Sequence, residues 1–228
     1  MRIALIDTTV NEKLVCCSES IRICDYNEHH VIYGTGINHG TVCAAIIQKY
    51  APDADIINLI TVNNCNNACH VSEVILALSY CLQNDIKLIS MSLGTRDLVD
   101  IAQLYTIIKL LVSLDFIIVA PGSRNRLVYP AAFDGVVYVE INDGVKYMDN
   151  RYFIEKCPNG LLAYIASGKQ IISFKDGSET CTPNYSSFAV PVITSHIYHI
   201  LKNNPNMKIC EMHNELDIKS QGYITTST

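Results

Sequence analysis

The sequence predicts an α/β protein with a mostly parallel, twisted sheet and helices on both faces. Two observations predict this class. Short apolar runs of strand length occur along the chain, and the first of them is 3–6. They alternate with longer segments whose apolar residues recur at helical spacing. The order strand, helix, strand then repeats, which is typical of parallel strands joined by crossover helices.

The elements follow in order along the chain. The segment from residue 7 to 36 is expected to hold irregular β structure and loops, and 146–175 is rich in β-prone residues and glycine turns. The predicted strands are 3–6, 55–62, 87–91, 116–119 and 136–139. The predicted helices run from His39 to the Pro52 break, over 71–83 and 97–114, and from Ser187 to about Asn203.

Length and composition favour one core. The chain has 228 residues, of which 49% are hydrophobic and 17% are charged. This length lies near the upper end of the single-domain range, and no linker, repeat or low-complexity tract divides the sequence. We therefore predict one domain over 1–205 and a C-terminal tail over 206–228, with the polar part after His213 mobile.

Charge and hydropathy exclude several kinds of partner. The net charge of −5 and the absence of Lys/Arg runs argue against nucleic acid. No stretch reaches the about 18–20 continuous apolar residues of a membrane helix, so no membrane partner is expected. The first ten residues carry no export signal, which predicts a cytoplasmic protein whose ten cysteines are reduced.

Three reactive side chains stand where α/β sheets place their sites. Asp7 directly follows the apolar run at 3–6, His39 opens one predicted helix, and Ser187 opens another. Taken singly, each residue is an ordinary cap. In the chain order Asp, His, Ser they correspond to one of the known arrangements of a catalytic triad, with a carboxylate, an imidazole base and a nucleophile.

The segments around these residues resemble the subtilisin-like serine peptidases. Similar segments occur in the family's order from residue 1 to about 203, and they are Ala4-Leu5-Ile6-Asp7-Thr8, His39-Gly40-Thr41, Ala51-Pro52, Ser92-Leu93-Gly94, Tyr129-Pro130-Ala131, Ala166-Ser167-Gly168 and Ser187-Phe188-Ala189-Val190-Pro191. The resemblance implies a subtilisin-like fold.

The resemblance also implies a function and a set of site residues. It implies hydrolysis of an extended peptide or precursor protein by Asp7, His39 and Ser187, with leader-peptide processing as one such reaction. Calcium is frequent in the family, but no Asp-x-Asp-x-Asp-like run offers its oxygen ligands here, so we predict no required metal and no cofactor. The implied substrate-binding residues are Ser92, Leu93, Gly94, Ala120, Gly122 and Val128. The Asn-rich loop 63–70 is expected to form the other wall of the cleft.

Departures from the family pattern keep a second hypothesis open. Thr9 stands where the family has glycine, and Tyr185-Ser186 stands where it has Gly-Thr, so we expect altered or strained loops at both places. The asparagine that stabilises the oxyanion in the family is replaced by Ser123 in a gapless alignment, with Asn125 two residues later. The alternative is therefore an impaired pseudoenzyme that binds a peptide without cleaving it.

Val128 stands where the family commonly has a glycine at the floor of the pocket for the residue preceding the cut. A branched side chain there predicts a preference for small residues at that position, because a bulky group would be overpacked. Arg124 or Arg126 reaching into the pocket would instead favour an acidic residue.

Overall fold

The computed structural model describes residues 1–23, 30–31, 36–62, 69–143 and 149–224. The loop residues 63–68, predicted to form part of a cleft wall, lie outside this range. The described strands are β1 Arg2–Asp7, β2 Glu19–Arg22, β3 His30–Val31, β4 Asp55–Ile60, β5 Leu88–Met91, β6 Ile117–Pro121, β7 Val137–Glu140, β8 Tyr152–Lys156, β9 Leu162–Ala166, β10 Ile171–Ser173, β11 Glu179–Cys181 and β12 Tyr223–Ile224. The described helices are α1 His39–Tyr50, α2 Val71–Gln83, α3 Leu98–Ser113, α4 Ser186–Asn203 and α5 Ile209–Lys219.

Ten of the described strands form one sheet in the order β12-β8-β9-β7-β6-β5-β1-β4-β2-β3. Its central strands are parallel: β1 pairs with β4 and β5, and β6 pairs with β5 and β7. Antiparallel pairing occurs toward the two edges, between β2 and β3 and between β8 and β9. The prediction of a mostly parallel sheet is confirmed.

Helices cover both faces of the sheet. Successive side chains of a strand point to opposite faces, so Ile3 and Leu5 of β1 join one core while Ala4 and Ile6 join the other. The first core is closed by α1, α4 and α5, and the second by α2 and α3. This arrangement also confirms the predicted placement of helices.

The start of α1 is held against the end of β1. The Asn38 side chain caps the helix by accepting from the Thr41 N–H at 3.1 Å. A Cβ on Gly40 would lie 2.3 Å from the backbone oxygen of Thr8, so only glycine allows this approach. The close contact places His39 directly beside Asp7.

The segment after residue 205 contains a helix and a short strand that pack on the rest of the fold. Helix α5 buries Met212 and Leu216 completely against the first core. Tyr152 on β8 donates a hydrogen bond to the carbonyl of Leu216 at 2.6 Å, and β12 pairs parallel to β8. The expected mobile, polar end is thus helical as far as Lys219, because two apolar side chains four residues apart give α5 a buried face.

Two expectations from the sequence concern the cysteines and membrane-spanning helices. The eight cysteines of the described part are all free thiols. In the same part of the chain, none of the helices combines the length and the apolar character needed to cross a membrane.

Candidate active site

The structure brings Asp7, His39 and Ser187 into one hydrogen-bonded row. His39 Nδ1 lies 2.8 Å from Asp7 Oδ1 and 2.9 Å from Oδ2. On the other side of the ring, His39 Nε2 lies 3.1 Å from Ser187 Oγ. All three distances are within hydrogen-bonding range, although the residues are separated by 32 and 148 positions in the chain.

Three elements position these side chains. Asp7 is the last residue of β1, His39 is the first residue of α1, and Ser187 is the second residue of α4. Helices α1 and α4 pack on the same face of the sheet, so their N-terminal ends meet above the carboxyl end of β1. The first N–H groups of a helix have no partner within the helix, which makes the start of α4 suited to an anionic oxygen.

Asp7 is buried, with 1% of its surface exposed, and its carboxylate is held in place. The Thr8 N–H donates to Asp7 Oδ1 at 2.7 Å. Thr8 in turn accepts from the Gly40 N–H through Oγ1 at 2.7 Å. The end of β1 and the start of α1 are therefore cross-linked around the contact between Asp7 and His39.

The His39 ring is a base that holds its proton more tightly than usual. Burial by itself lowers the pKa of His39, but Cys43 and Asp7 beside the ring act in the opposite direction, and the net shift of the pKa is upward. Burial raises the pKa of Cys43, so its thiol is neutral near neutral pH. We therefore attribute the raised pKa of His39 to the Asp7 carboxylate.

Cys43 is a neighbour of the site that the motifs did not single out. Its Sγ lies 3.6 Å from His39 Nδ1 and 3.5 Å from Ser92 Oγ. The ligand atoms of Asp7, His39 and Cys43 lie within 4.8 Å of one another, so these three could hold a metal ion. Both carboxylate oxygens of Asp7 already contact the imidazole, and we interpret the group as a proton-transfer site.

Two cavities meet at this row. One, of about 450 Å³, is lined by Asp7, His39 and the apolar side chains of Val71, Val74 and Leu104. The other, of about 770 Å³, is lined by the turn after β6 and by the end of β7. Ser92, Leu93, Gly94 and Ser187 line both. The backbone that follows β5 therefore runs between the two cavities, directly beside the serine.

Most of the predicted substrate-binding residues lie on these cavities, and one does not. Gly122 and Val128 line the larger cavity together with Ser92, Leu93 and Gly94. A Cβ on Gly94 would lie 2.6 Å from a methyl group of Val128, so the two residues pack directly against each other. Ala120 is completely buried on β6 within the second core and lines neither cavity, because its side chain points into the sheet's packed face.

Both oxyanion candidates line the larger cavity with Ser187. Ser123 is half-buried and directly follows Gly122, whereas Asn125 is exposed. Tyr138 fixes the turn: its hydroxyl accepts from the Ser123 N–H and donates to the Ser123 carbonyl, both at 2.8 Å. A Cβ on Gly122 would lie 2.1 Å from the Tyr138 ring, so this glycine is required by the packing.

The expected backbone strain is not observed at the altered motif positions. Among the described residues, the non-glycine residues with positive φ are Asp85, Asp115 and Asn150, so neither Thr9 nor Ser186 is strained. Tyr185 has an extended backbone, with φ −119° and ψ 146°. Its backbone oxygen would lie 2.2 Å from a Cβ on Gly168, so the glycine of the Ala-Ser-Gly segment allows this approach.

The pattern-based search also missed two carboxylates, Glu140 on the larger cavity and Glu155 beside Arg124. Glu140 at the end of β7 lines this cavity, and Arg124 forms an ion pair with the buried Glu155. A single glutamate at the end of an apolar strand resembles an ordinary strand-end residue, and its burial depends on β8 and β9, which follow much later in the chain.

No protein-family model matches this sequence, and no curated protein matches it by sequence. Solved structures do resemble it. A cold adapted subtilisin-like serine proteinase aligns with 96% of this chain and 84% of its own, with a TM-score of 0.70 and 17% identity. A lanthipeptide protease aligns with 96% and 79%, with a TM-score of 0.71 and 12% identity. The nisin leader peptidase NisP from Lactococcus lactis aligns with 96% and 82%, with a TM-score of 0.73 and 12% identity. The chain has the subtilisin-like fold.

Proposed function

We propose that this protein is a serine endopeptidase in which Ser187 is the nucleophile, His39 the general base and Asp7 the residue that orients the imidazole. The observation that carries the proposal is the hydrogen-bonded row from Asp7 through His39 to Ser187, placed where two cavities meet. A serine hydroxyl is a weak nucleophile until an adjacent base accepts its proton, and this row supplies that base.

The proton path follows from the geometry. Ser187 Oγ attacks the peptide carbonyl while its proton passes to His39 Nε2, 3.1 Å away. His39 then donates that proton to the leaving amine as the C–N bond breaks, and water hydrolyses the acyl-enzyme by the reverse sequence. Asp7 holds the proton on Nδ1, which leaves the lone pair of Nε2 directed at the hydroxyl.

The negative charge on the tetrahedral intermediate requires donors on the same side as Ser187. Backbone N–H groups at the start of α4 provide one kind of donor. The second donor is either the Ser123 hydroxyl or the Asn125 amide, since both residues line the cavity that Ser187 lines. Neither reproduces the family's asparagine at its usual place.

The substrate we propose is an extended peptide, such as the leader of a precursor protein. Strand pairing of β5 ends at Met91, and the backbone at 92–94 runs between the two cavities, which supports the addition of a substrate strand along it. The similar folds of a lanthipeptide protease and a nisin leader peptidase support a leader peptide or precursor protein as the substrate.

A second candidate function is peptide binding without cleavage. Ser123 at the position of the expected oxyanion asparagine favours it, because losing one such donor costs about 100- to 1,000-fold in rate. A pseudoenzyme of this kind would keep the cleft at 92–94 and lack turnover.

A fluorophosphonate probe separates the two functions. We expect the probe to label the full chain, and we expect labelling to vanish in Ser187→Ala. The matched control is Ser186→Ala, which removes the hydroxyl of the adjacent half-buried serine and should leave labelling in place. Absence of labelling of the wild-type chain from mildly acidic to alkaline pH would favour the pseudoenzyme.

A further inference from the structure

A buried carboxylate on the wall of the larger cavity has an oxygen without a partner. Glu140 ends β7, is 4% exposed, and lines this cavity together with Ser187. Its Oε1 accepts from the Ile141 N–H at 2.8 Å. Its Oε2 is buried and makes no hydrogen bond of normal geometry within the described part of the chain, although the backbone N–H of Arg124 is near enough to oppose the rise of the pKa of this carboxyl group. An unsatisfied buried carboxylate oxygen is costly, which indicates a ligand that supplies the missing donor.

Arg124, the cation among the described residues that line this cavity, is already paired. Arg124 donates to both oxygens of Glu155, from Nη1 at 2.7 Å and from Nη2 at 2.5 Å. Glu155 is completely buried, and this bidentate pair neutralises it. One expectation from the sequence was that Arg124 would bind an acidic substrate side chain. Because Glu155 already engages Arg124, this arginine is not available for that role.

The cavity consequently has an excess of acidic groups. Of the described residues that line it, Arg124 is the only cation, whereas Glu140 and Asp143 are both carboxylates. Asp143 accepts from the Asn184 side chain at 3.1 Å, so one of its oxygens has a neutral partner. Glu140 is the carboxylate with an unpartnered buried oxygen, and a positively charged ligand would supply the hydrogen-bond donor that Oε2 lacks.

Burial affects how strongly Glu140 is ionised. Burial raises the pKa of Glu140 to about 7, and the negative charge of Glu155 acts in the same direction. The Ile141 N–H, the positive charge of Arg124 and the Arg124 backbone N–H all act to lower this pKa. Near neutral pH the carboxyl group is therefore divided between its neutral and its charged form. A cation in the cavity would bind the charged form and draw the equilibrium toward it.

We propose that Glu140 selects a lysine or arginine side chain at the substrate position that precedes the scissile bond, with Oε2 accepting from its ammonium or guanidinium group. The inference rests on the proposed function, because Ser187 defines which bond is cut. Val128 packs against Gly94 at one wall, but a cavity of about 770 Å³ still has room for a long side chain. This proposal replaces the expectation of a small residue at that position.

Matched peptides test the proposal on the full chain. The peptides differ only in the residue before the cut, which is Lys, Arg, Met, Ala or Glu, and kcat/KM is measured for each. We expect Lys and Arg to be preferred over Met, and we expect Glu140→Gln to reduce that preference about 100-fold while cleavage after Met changes little. The control is Asp143→Asn, which should leave the preference largely intact.

The pH dependence provides a readout that a folding defect would not produce. The ratio of kcat/KM for the Lys peptide to that for the Met peptide cancels ionisations common to both reactions, including that of His39. In the wild-type chain this ratio should rise between pH 6 and 8, and in Glu140→Gln it should be flat. A preference for Ala, Met or Glu, or a basic preference that survives in Glu140→Gln, overturns the proposal. If no peptide shows Ser187-dependent cleavage, the proposed function fails and this inference fails with it.

Discussion

At the scale of single residues, Asp7, His39 and Ser187 form one unit, because the ring of His39 is bonded on both sides. Removing either the base or the nucleophile disables the same step, so the effects should not multiply. We predict that His39→Ala and Ser187→Ala each lower kcat by about 10⁴-fold or more, and that the double variant is hardly worse. Steady-state kinetics of the three variants checks this, and losses that multiply would contradict the assignment.

The raised pKa of His39 has a consequence for the pH profile. Only the neutral imidazole accepts the proton of Ser187, and the Asp7 carboxylate favours the protonated ring. Activity should therefore rise with pH through a value above the ordinary histidine pKa of about 6.5. The measurement is kcat/KM against pH with a substrate that has no ionisable side chain, repeated in Glu140→Gln to remove the second titrating group. A rising limb centred below pH 6 would argue against this environment for His39.

Two residues are candidates for the side chain that donates a hydrogen bond to the oxyanion. Ser123 and Asn125 both line the cavity beside Ser187, but the first is half-buried and the second is exposed. We predict that only one of Ser123→Ala and Asn125→Ala lowers kcat, by about 100- to 1,000-fold, with little effect on KM. Each variant serves as the control for the other. If both retain wild-type kcat, the donor lies elsewhere.

At the scale of elements, helices with an apolar face and clear ends were predicted well. Helix α2 was predicted over 71–83, and the structure has it at Val71–Gln83. Helix α5 was not predicted, because its mean composition is polar and only Met212 and Leu216 are buried. The antiparallel return of β9 onto β8 was also beyond the sequence, since pairing partners depend on the whole sheet.

Helix α5 allows a matched stability test. Leu216 is completely buried, whereas Ile218 on the same helix is 76% exposed. We predict that Leu216→Ala lowers the free energy of unfolding by about 2–5 kcal/mol, while Ile218→Ala stays within about 0.5 kcal/mol. Urea denaturation of both variants measures the difference. Equal denaturation midpoints would mean that α5 does not pack on the core as described.

At the scale of the whole molecule, the parallel sheet explains why distant residues meet. The carboxyl ends of β1, β5 and β6 lie at the same edge of the sheet, which brings Asp7, Ser92 and Gly122 to one region. The motifs had predicted that Asp7, Ser92 and Gly122 belong to one site. They did not single out Cys43, which lies one helical turn after His39 on α1. They could not predict Tyr138 or Glu140, since these residues reach the site through contacts between segments that no local pattern encodes.

The extent of the folded domain is the last feature that can be tested. The sequence analysis predicts a C-terminal tail at 206–228, but we propose that the domain continues to Ile224, because α5 and β12 pack on β8 and α4. Burial of Met212 and Leu216 contributes about 1.5–3 kcal/mol for each side chain, a large share of a typical total stability of about 5–15 kcal/mol. We predict that a chain ending at Pro205 unfolds at a markedly lower urea concentration and loses activity with its fold. A chain ending at Ile224 is the control and should match the full chain. If the shorter chain instead keeps the midpoint and the activity of the full chain, residues 206–228 lie outside the folded domain, as the sequence analysis predicts.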